Sequence, residues 1–204
     1  MSAAFAGLVG RCQQRPLIRS IRMRLVAGLS GRAAAGDVLE NQLVRDNLAL
    51  LARSGLVATI EATSSQLGVV TRLAAEFPDL RIVIDHFGWP EAGPDGADRA
   101  GHMRGLARVA AAGNVAARID AIGTIFGAWT LPELCPWLLD VAGIFGPQRC
   151  MLGSGLPIEN LRSGFASLYR AYDAIFCGFS DDERAWLFHR TAEWWYAHSA
   201  AGDA

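Results

Sequence analysis

Apolar strand-like runs alternate with longer helical patterns along most of this chain, and that alternation limits the folds open to it. Residues 17–26 alternate apolar and polar side chains, as a half-buried strand does. Residues 56–63, 81–85, 115–122 and 149–152 are four further strand runs. Between them, 37–53, 66–77, 99–112 and 131–145 carry apolar residues near helical spacing, and two closing helices are expected over 160–176 and 181–199. The punctuation agrees. Asp37, Ser64 or Ser65, and Ser180 or Asp181 stand where helix N-caps belong, and Gly55, Gly113 and Gly146 stand where helices stop. Residues 91–98 and 123–130 read as loops. Strand then helix, repeated without a linker, predicts one α/β domain over 1–204 with a parallel sheet covered by helices. Five strands fit an open doubly wound sheet. They also fit most of a (β/α)8 barrel, which typically needs about 250 residues. Periodicity does not choose between the two.

Composition narrows the function. The 204 residues are 51% hydrophobic and 19% charged, enough for one sizeable core. The 19 basic and 20 acidic side chains nearly cancel, so no basic face for nucleic acid is expected. No GxGxxG or GxxxxGK[ST] opens a helix, so nucleotide binding has no support. Cys12, Cys135, Cys150 and Cys177 are far apart, with no CxxC pair. A buried-hydrophobe role for Cys150 and a reducing cytoplasm are the simpler readings. The start of the chain is mildly apolar, too short to span a membrane and unlike a secretory leader, so no membrane partner is expected.

The stretch Arg81-Ile-Val-Ile-Asp-His86-Phe-Gly-Trp-Pro90 concentrates the chemistry. Ligands of α/β proteins bind at the carboxyl ends of parallel strands, and here a strand ends in Asp-His followed by Gly and Pro. An imidazole at that place can ligate a metal or move a proton. It can equally cap loop backbone groups.

Two segments together resemble the amidohydrolase-related (amidohydrolase family 2) proteins, the branch with sugar-lactone and pyrone-dicarboxylate lactonases. One is Ile82-Val-Ile-Asp-His86-Phe-Gly-Trp-Pro90. The other is Phe145-Gly-Pro-Gln-Arg-Cys-Met-Leu-Gly-Ser154-Gly-Leu-Pro157. Weaker flanks agree: Ile21-Arg22, the run from Gly113 to Arg118, and Leu187-Phe188 with Thr191-Ala192 and Trp195-Tyr196. The likeness covers 17–198. It implies a partial (β/α)8 TIM-barrel-like fold, with the five strands resembling strands four to eight of the family barrel. Members of the family use a divalent metal such as zinc. The resemblance makes His86 the one matching ligand, because no His-x-His occurs and Gly155 stands where the family has an aspartate. A catalytic zinc normally takes three protein ligands. No cofactor is therefore expected in this chain, and zinc should bind weakly or not at all.

The resemblance implies hydrolysis of a lactone or similar cyclic ester or amide, by attack of water on a carbonyl. His86 is the candidate catalytic residue. Arg22, Arg118 and Trp89 are the candidate substrate-binding residues, and the substrate is a small carbonyl compound. The alternative for each arginine is a structural ion pair, with Glu61 or Asp120 as partner. Trp89, Phe126 and Trp129 either line a pocket or pack their loops. Asp85 should point away from His86, by strand alternation, and serve as a structural acceptor. Glu61 could replace a lost base. His102, His189 and His198 are expected on outer helix faces, and Glu159 at the start of its own helix. The alternative function is a degenerate relative that binds a ligand or partner, or a fragment of a longer barrel. An apolar edge beside 17–26 or 149–152 predicts self-association. Restoring a carboxylate with Gly155→Asp should supply a missing base.

Overall fold

In the computed structural model, residues 2–25, 40–91 and 98–197 are described. The expected helix start at Asp37, the interior of the 91–98 loop and His198 lie outside them. The elements run α1 (Ala3–Gln13), β1 (Ser20–Arg24), α2 (Gln42–Ser54), β2 (Val57–Glu61), α3 (Leu67–Glu76), β3 (Ile82–Ile84), α4 (Arg99–Ala110), β4 (Val115–Ile119), α5 (Ile122–Phe126), α6 (Leu131–Phe145), β5 (Cys150–Leu152), α7 (Phe165–Ile175), α8 (Asp181–Ala185) and α9 (Thr191–Ala197). A π turn, Trp186–Arg190, joins the last two.

Local chemistry sets the ends. Asn41 accepts a hydrogen bond from Leu43 N at 3.0 Å to start α2, and Gly55 ends it in the left-handed region. Capping boxes open three further segments: Thr63 with Gln66, Thr130 with Glu133, and Ser180 with Glu183. The expected Ser64 or Ser65 cap is displaced one position, to Thr63. Two elements were not anticipated: α1, and the short α5, which starts at the last residue of the strand expected over 115–122 and takes up the first half of the expected 123–130 loop.

All four strand pairs are parallel, in the order β1-β2-β3-β4-β5. A doubly wound sheet reverses its order at a switch point. This sheet does not, so each crossover places its helix on the same face, as in a barrel. The outer face carries Ala58, Ile60, Ile82, Ile84, Val115, Ala117, Ile119, Cys150 and Leu152, buried under the helices in the main core. The inner face splits into two halves. Near the strand starts, Val57, Val83, Ala116 and Met151 pack under Trp195, with Ala192 and Tyr196 beside it. Near the strand ends the same face is polar: Thr59 and Glu61, Asp85, Arg118 and Asp120, with Arg22 and Arg24 from β1. The C-terminal helix thus floors the inner face and leaves its carboxyl end for chemistry.

At the β5 edge the expected apolar exposure is covered, since Cys150, Met151 and Leu152 are all buried. At the other edge β1 is half-exposed. Among the described residues no helix is long and apolar enough to cross a membrane. All four cysteines are free thiols, and burial pushes the Cys150 thiol up to about 12.

Candidate functional site

The site is built on a turn that breaks the strand rule. After Ile84 the chain does not continue extended. His86, Phe87 and Trp89 all have positive φ, at 54°, 39° and 29°. Such conformations cost about 1–3 kcal/mol each for residues with a Cβ, so the surroundings must hold them. Phe87 is fully buried and stacks on Phe126 at 6.3 Å. The Trp89 carbonyl accepts from Ser64 N at 3.2 Å. Gly88 favours glycine: its φ is +79°, and a Cβ there would sit 2.8 Å from Leu67 Cδ2, so that side chain would have to move.

His102 completes the clamp, and its position corrects the expectation of an outer-face histidine. It is only 3% exposed. Its Nε2 lies 3.1 Å from the Phe87 carbonyl, which can only accept, so Nε2 carries the proton. Its Nδ1 then accepts from Ser64 Oγ at 2.7 Å. Burial pulls its pKa down from 6.5 to about 4. Two polar partners at the right spacing outweighed the amphipathic reading of α4. His189, by contrast, is exposed beside Glu193.

The turn swings His86 onto the same face as Asp85, so the alternation argument that separated them fails. The result is a closed ring of side chains. Arg22 Nη2 lies 2.9 Å from His86 Nε2. His86 Nδ1 lies 2.7 Å from Asp120 Oδ1. Asp120 Oδ2 pairs with Arg118 Nε at 2.9 Å, and Arg118 Nη2 with Asp85 Oδ1 at 2.5 Å. Asp85 Oδ2 returns to Arg22 Nε at 2.9 Å. The Asp85 contacts are ion pairs without aligned hydrogen bonds. Glu61 hangs on the ring through Arg22 Nη2 at 2.7 Å and holds Arg24 at 2.8 and 3.0 Å.

Donor and acceptor chemistry fixes the histidine. A guanidinium can only donate, so His86 Nε2 accepts and Nδ1 carries the proton that Asp120 receives. Burial pushes the Asp85 carboxyl up against the opposing pull of Arg118. Burial would also raise Glu61, but the Arg24 hydrogen bond and the charges of Arg22 and Arg24 outweigh it and hold Glu61 below its usual value. The three arginines balance Glu61, Asp85 and Asp120.

The ring lines an open cleft of about 490 Å³ at the strand ends, with the Gly153–Leu156 turn across from it. His86, Arg22, Arg118 and Trp89 all reach this cleft. The Trp89 ring meets His86 edge-on at 5.3 Å. Both arginines make the ion pairs weighed for them, yet Arg22 keeps 48% of its side chain exposed against 28% for Arg118. Phe126 is buried against Phe87 and Trp137, and Trp129 packs on the core, so neither lines this cleft. Glu159 needs correction. It is fully buried, and its carboxylate accepts from Gly123 N at 2.9 Å, so it serves the start of α5 and not its own helix. Asp120 entered the sequence reading only as a partner for Arg118. The signal that could have found it is the alternation Ala116, Arg118, Asp120, which puts all three on one face of β4.

Comparison with known proteins places the chain. Residues 5–197 match the amidohydrolase family, and the chain belongs to it. It is 32% identical over 146 residues to an uncharacterised protein of Sinorhizobium fredii. That match takes in 72% of this chain and 48% of the relative, so the chain spans about half the length of the curated relative it matches. Among solved structures it is similar to an amidohydrolase from Burkholderia multivorans with bound HEPES, at TM-score 0.84 and 22% identity, over 96% of this chain and 70% of that one. A second crystal form of that protein holds zinc, at TM-score 0.78 and 22% identity, over 88% and 64%. A candidate 2-pyrone-4,6-dicarboxylic acid hydrolase from Pseudomonas putida matches at TM-score 0.74 and 22% identity, over 95% and 67%. The fold is that of a partial TIM-barrel amidohydrolase.

The residues present do not fit a zinc ion. His86 spends Nδ1 on Asp120 and turns Nε2 to a guanidinium. Gly155 offers no side chain. Among the described residues, no three His, Cys, Asp or Glu side chains converge as metal ligands.

Proposed function

We propose that the cleft hydrolyses a lactone or a similar cyclic ester or amide, with the His86–Asp120 pair as its base. The observation that carries this reading is the ring orientation. Asp120 holds the Nδ1 proton at 2.7 Å and leaves the Nε2 lone pair at the cleft wall. A histidine oriented in this way by a carboxylate is a general base, and the carboxylate steadies the imidazolium that forms. Family membership supports an enzyme of the amidohydrolase type, and hydrolysis of a lactone is the finer proposal.

In the free protein Arg22 occupies that lone pair. A substrate carbonyl competes for the same Nη2, and the half-exposed Arg22 has room to turn towards it. Nε2 then takes a proton from water as the hydroxide adds to the carbonyl carbon. Negative charge grows on the carbonyl oxygen beside the guanidinium, where it is stabilised. The tetrahedral adduct collapses by breaking the ring C–O or C–N bond. His86 returns its proton to the leaving oxygen or nitrogen. Trp89 supplies an apolar wall, and Arg118 holds Asp85 and Asp120 in place. The four free thiols fit a reducing cytoplasm as the place of action.

The test is turnover of a panel of simple lactones by the wild type, Asp120→Asn and His86→Gln in metal-depleted buffer. The wild type should open at least one lactone, and each variant should lose about 10²–10⁴ in rate. Gly155 and the Arg22 contact favour the second reading, a non-catalytic binding protein. A wild type that is inert on every lactone, or variants as fast as the wild type, would decide for it.

A further inference from the structure

We infer that Arg22 is the built-in cation of this site, standing among His86, Glu61 and Asp85 and keeping a metal ion from binding there. Its guanidinium is surrounded by two hydrogen-bond acceptors and one further carboxylate. Glu61 Oε2 and His86 Nε2 lie 2.7 and 2.9 Å from Nη2, and Asp85 Oδ2 lies 2.9 Å from Nε. Asp85 is fully buried and the Glu61 side chain is 8% exposed. Two carboxylates that deep need a cation beside them. Glu61 and His86 meet at Nη2 while Asp85 lies along the fork at Nε, a spacing that suits a planar guanidinium for as long as it stands there. A neutral imidazole nitrogen facing the same cation is the arrangement a metal would demand of it.

The consequence is electrostatic. Arg22 Nη2 already serves both Glu61 and His86, so a carbonyl oxygen takes its place there by displacing His86. An arginine stays charged at every working pH and needs no loading. The site would then polarise a carbonyl without a metal. The inference rests on this cleft being the functional site, but not on hydrolysis, and its test reads metal content and not activity.

The experiment is zinc stoichiometry and affinity for the full chain, prepared without metal and titrated with Zn²⁺ alone. The wild type should retain no stoichiometric zinc after desalting. Arg22→Ala empties the place of the fork while leaving its three partners. It should bind Zn²⁺ roughly tenfold more tightly or better, the scale on which even an outer-shell partner moves metal affinity. Adding His86→Ala should abolish that gain. If Arg22→Ala does not fold, Arg22→Gln serves, since it removes the charge and keeps a donor. The wild type is checked separately with Co²⁺, which should leave the His86 ring signals unbroadened in nuclear magnetic resonance spectra. One zinc per wild-type chain bound through His86, broadening of His86 by Co²⁺, or folded Arg22 variants that bind zinc no better than the wild type would each overturn the inference. Failure of lactone turnover with the zinc results intact would sink the hydrolase reading and leave this one standing.

Discussion

Acidification should loosen the turn that carries His86, and the route is His102. That imidazole is 3% exposed and bridges Ser64 Oγ to the Phe87 carbonyl. Burial lowers its pKa from 6.5 to about 4. An unfolded chain takes up the proton near 6.5, whereas the folded chain resists it until about 4. A depressed pKa of this kind gives stability that is fully present above 6.5 and is lost as the pH falls towards 4. One pKa unit is worth about 1.4 kcal/mol, so the wild type should lose about 2 kcal/mol from this group between pH 7 and pH 5, and about 3 kcal/mol by pH 4. Asp85 runs the other way. Its raised pKa favours the folded state at low pH, and that contribution disappears as the pH rises through the folded value. The comparison must therefore be a difference. Denaturant unfolding of the wild type and of His102→Gln at pH 7, 6 and 5 isolates the His102 contribution, because Asp85 is common to both. The wild type should fall by about 2 kcal/mol more than the variant over that range. Parallel pH profiles would refute the reasoning. So would a wild-type His102 ring that titrates near 6.5.

Other outcomes follow from the same geometry. Gly88→Ala meets Leu67 at 2.8 Å with φ at +79°, and should cost several kcal/mol or prevent folding, read from its denaturation midpoint; a neutral effect would mean that the turn is misplaced. Gly155→Asp was expected to restore a base, but Asp120 already holds His86. The substitution should therefore cost about 1–2 kcal/mol for its +64° φ and add little to lactone turnover. A gain on the roughly 10²–10⁴ scale of a general base would show that the chain does lack one. The half-exposed β1 flank predicts self-association at micromolar concentration, and a well-dispersed monomer in sedimentation would contradict it.

Most of the sheet was legible because its strands are short apolar or alternating runs bounded by Gly, Pro or capping residues. All five strands lie inside their expected ranges, and α6 has its expected ends. Periodicity could not tell an open sheet from a barrel, because both repeat the same unit. The strand order decides it, and order is a long-range property. Within the site, His86, Arg22 and Arg118 were readable as strand-end residues. The ring they form was not. It depends on the left-handed backbone at His86 and Phe87, and nothing in the residue types there signals it. His102 and Glu159 were misplaced for a related reason. His102 is polar on a long helix and Glu159 on a single turn, and exposure was the default expectation for both. Tertiary partners, the Phe87 carbonyl and Gly123 N, made burial tolerable.

The central claim is that Asp120 fixes His86 with a protonated Nδ1 and an accepting Nε2. Long-range proton–nitrogen correlation spectra of the wild type at neutral pH report this directly from the two ring nitrogens. The geometry predicts a neutral ring with the proton on Nδ1, and loss of that preference in Asp120→Ala. A proton resident on Nε2 in the wild type would contradict it, because Arg22 and Asp120 could not then hold the positions they have beside His86.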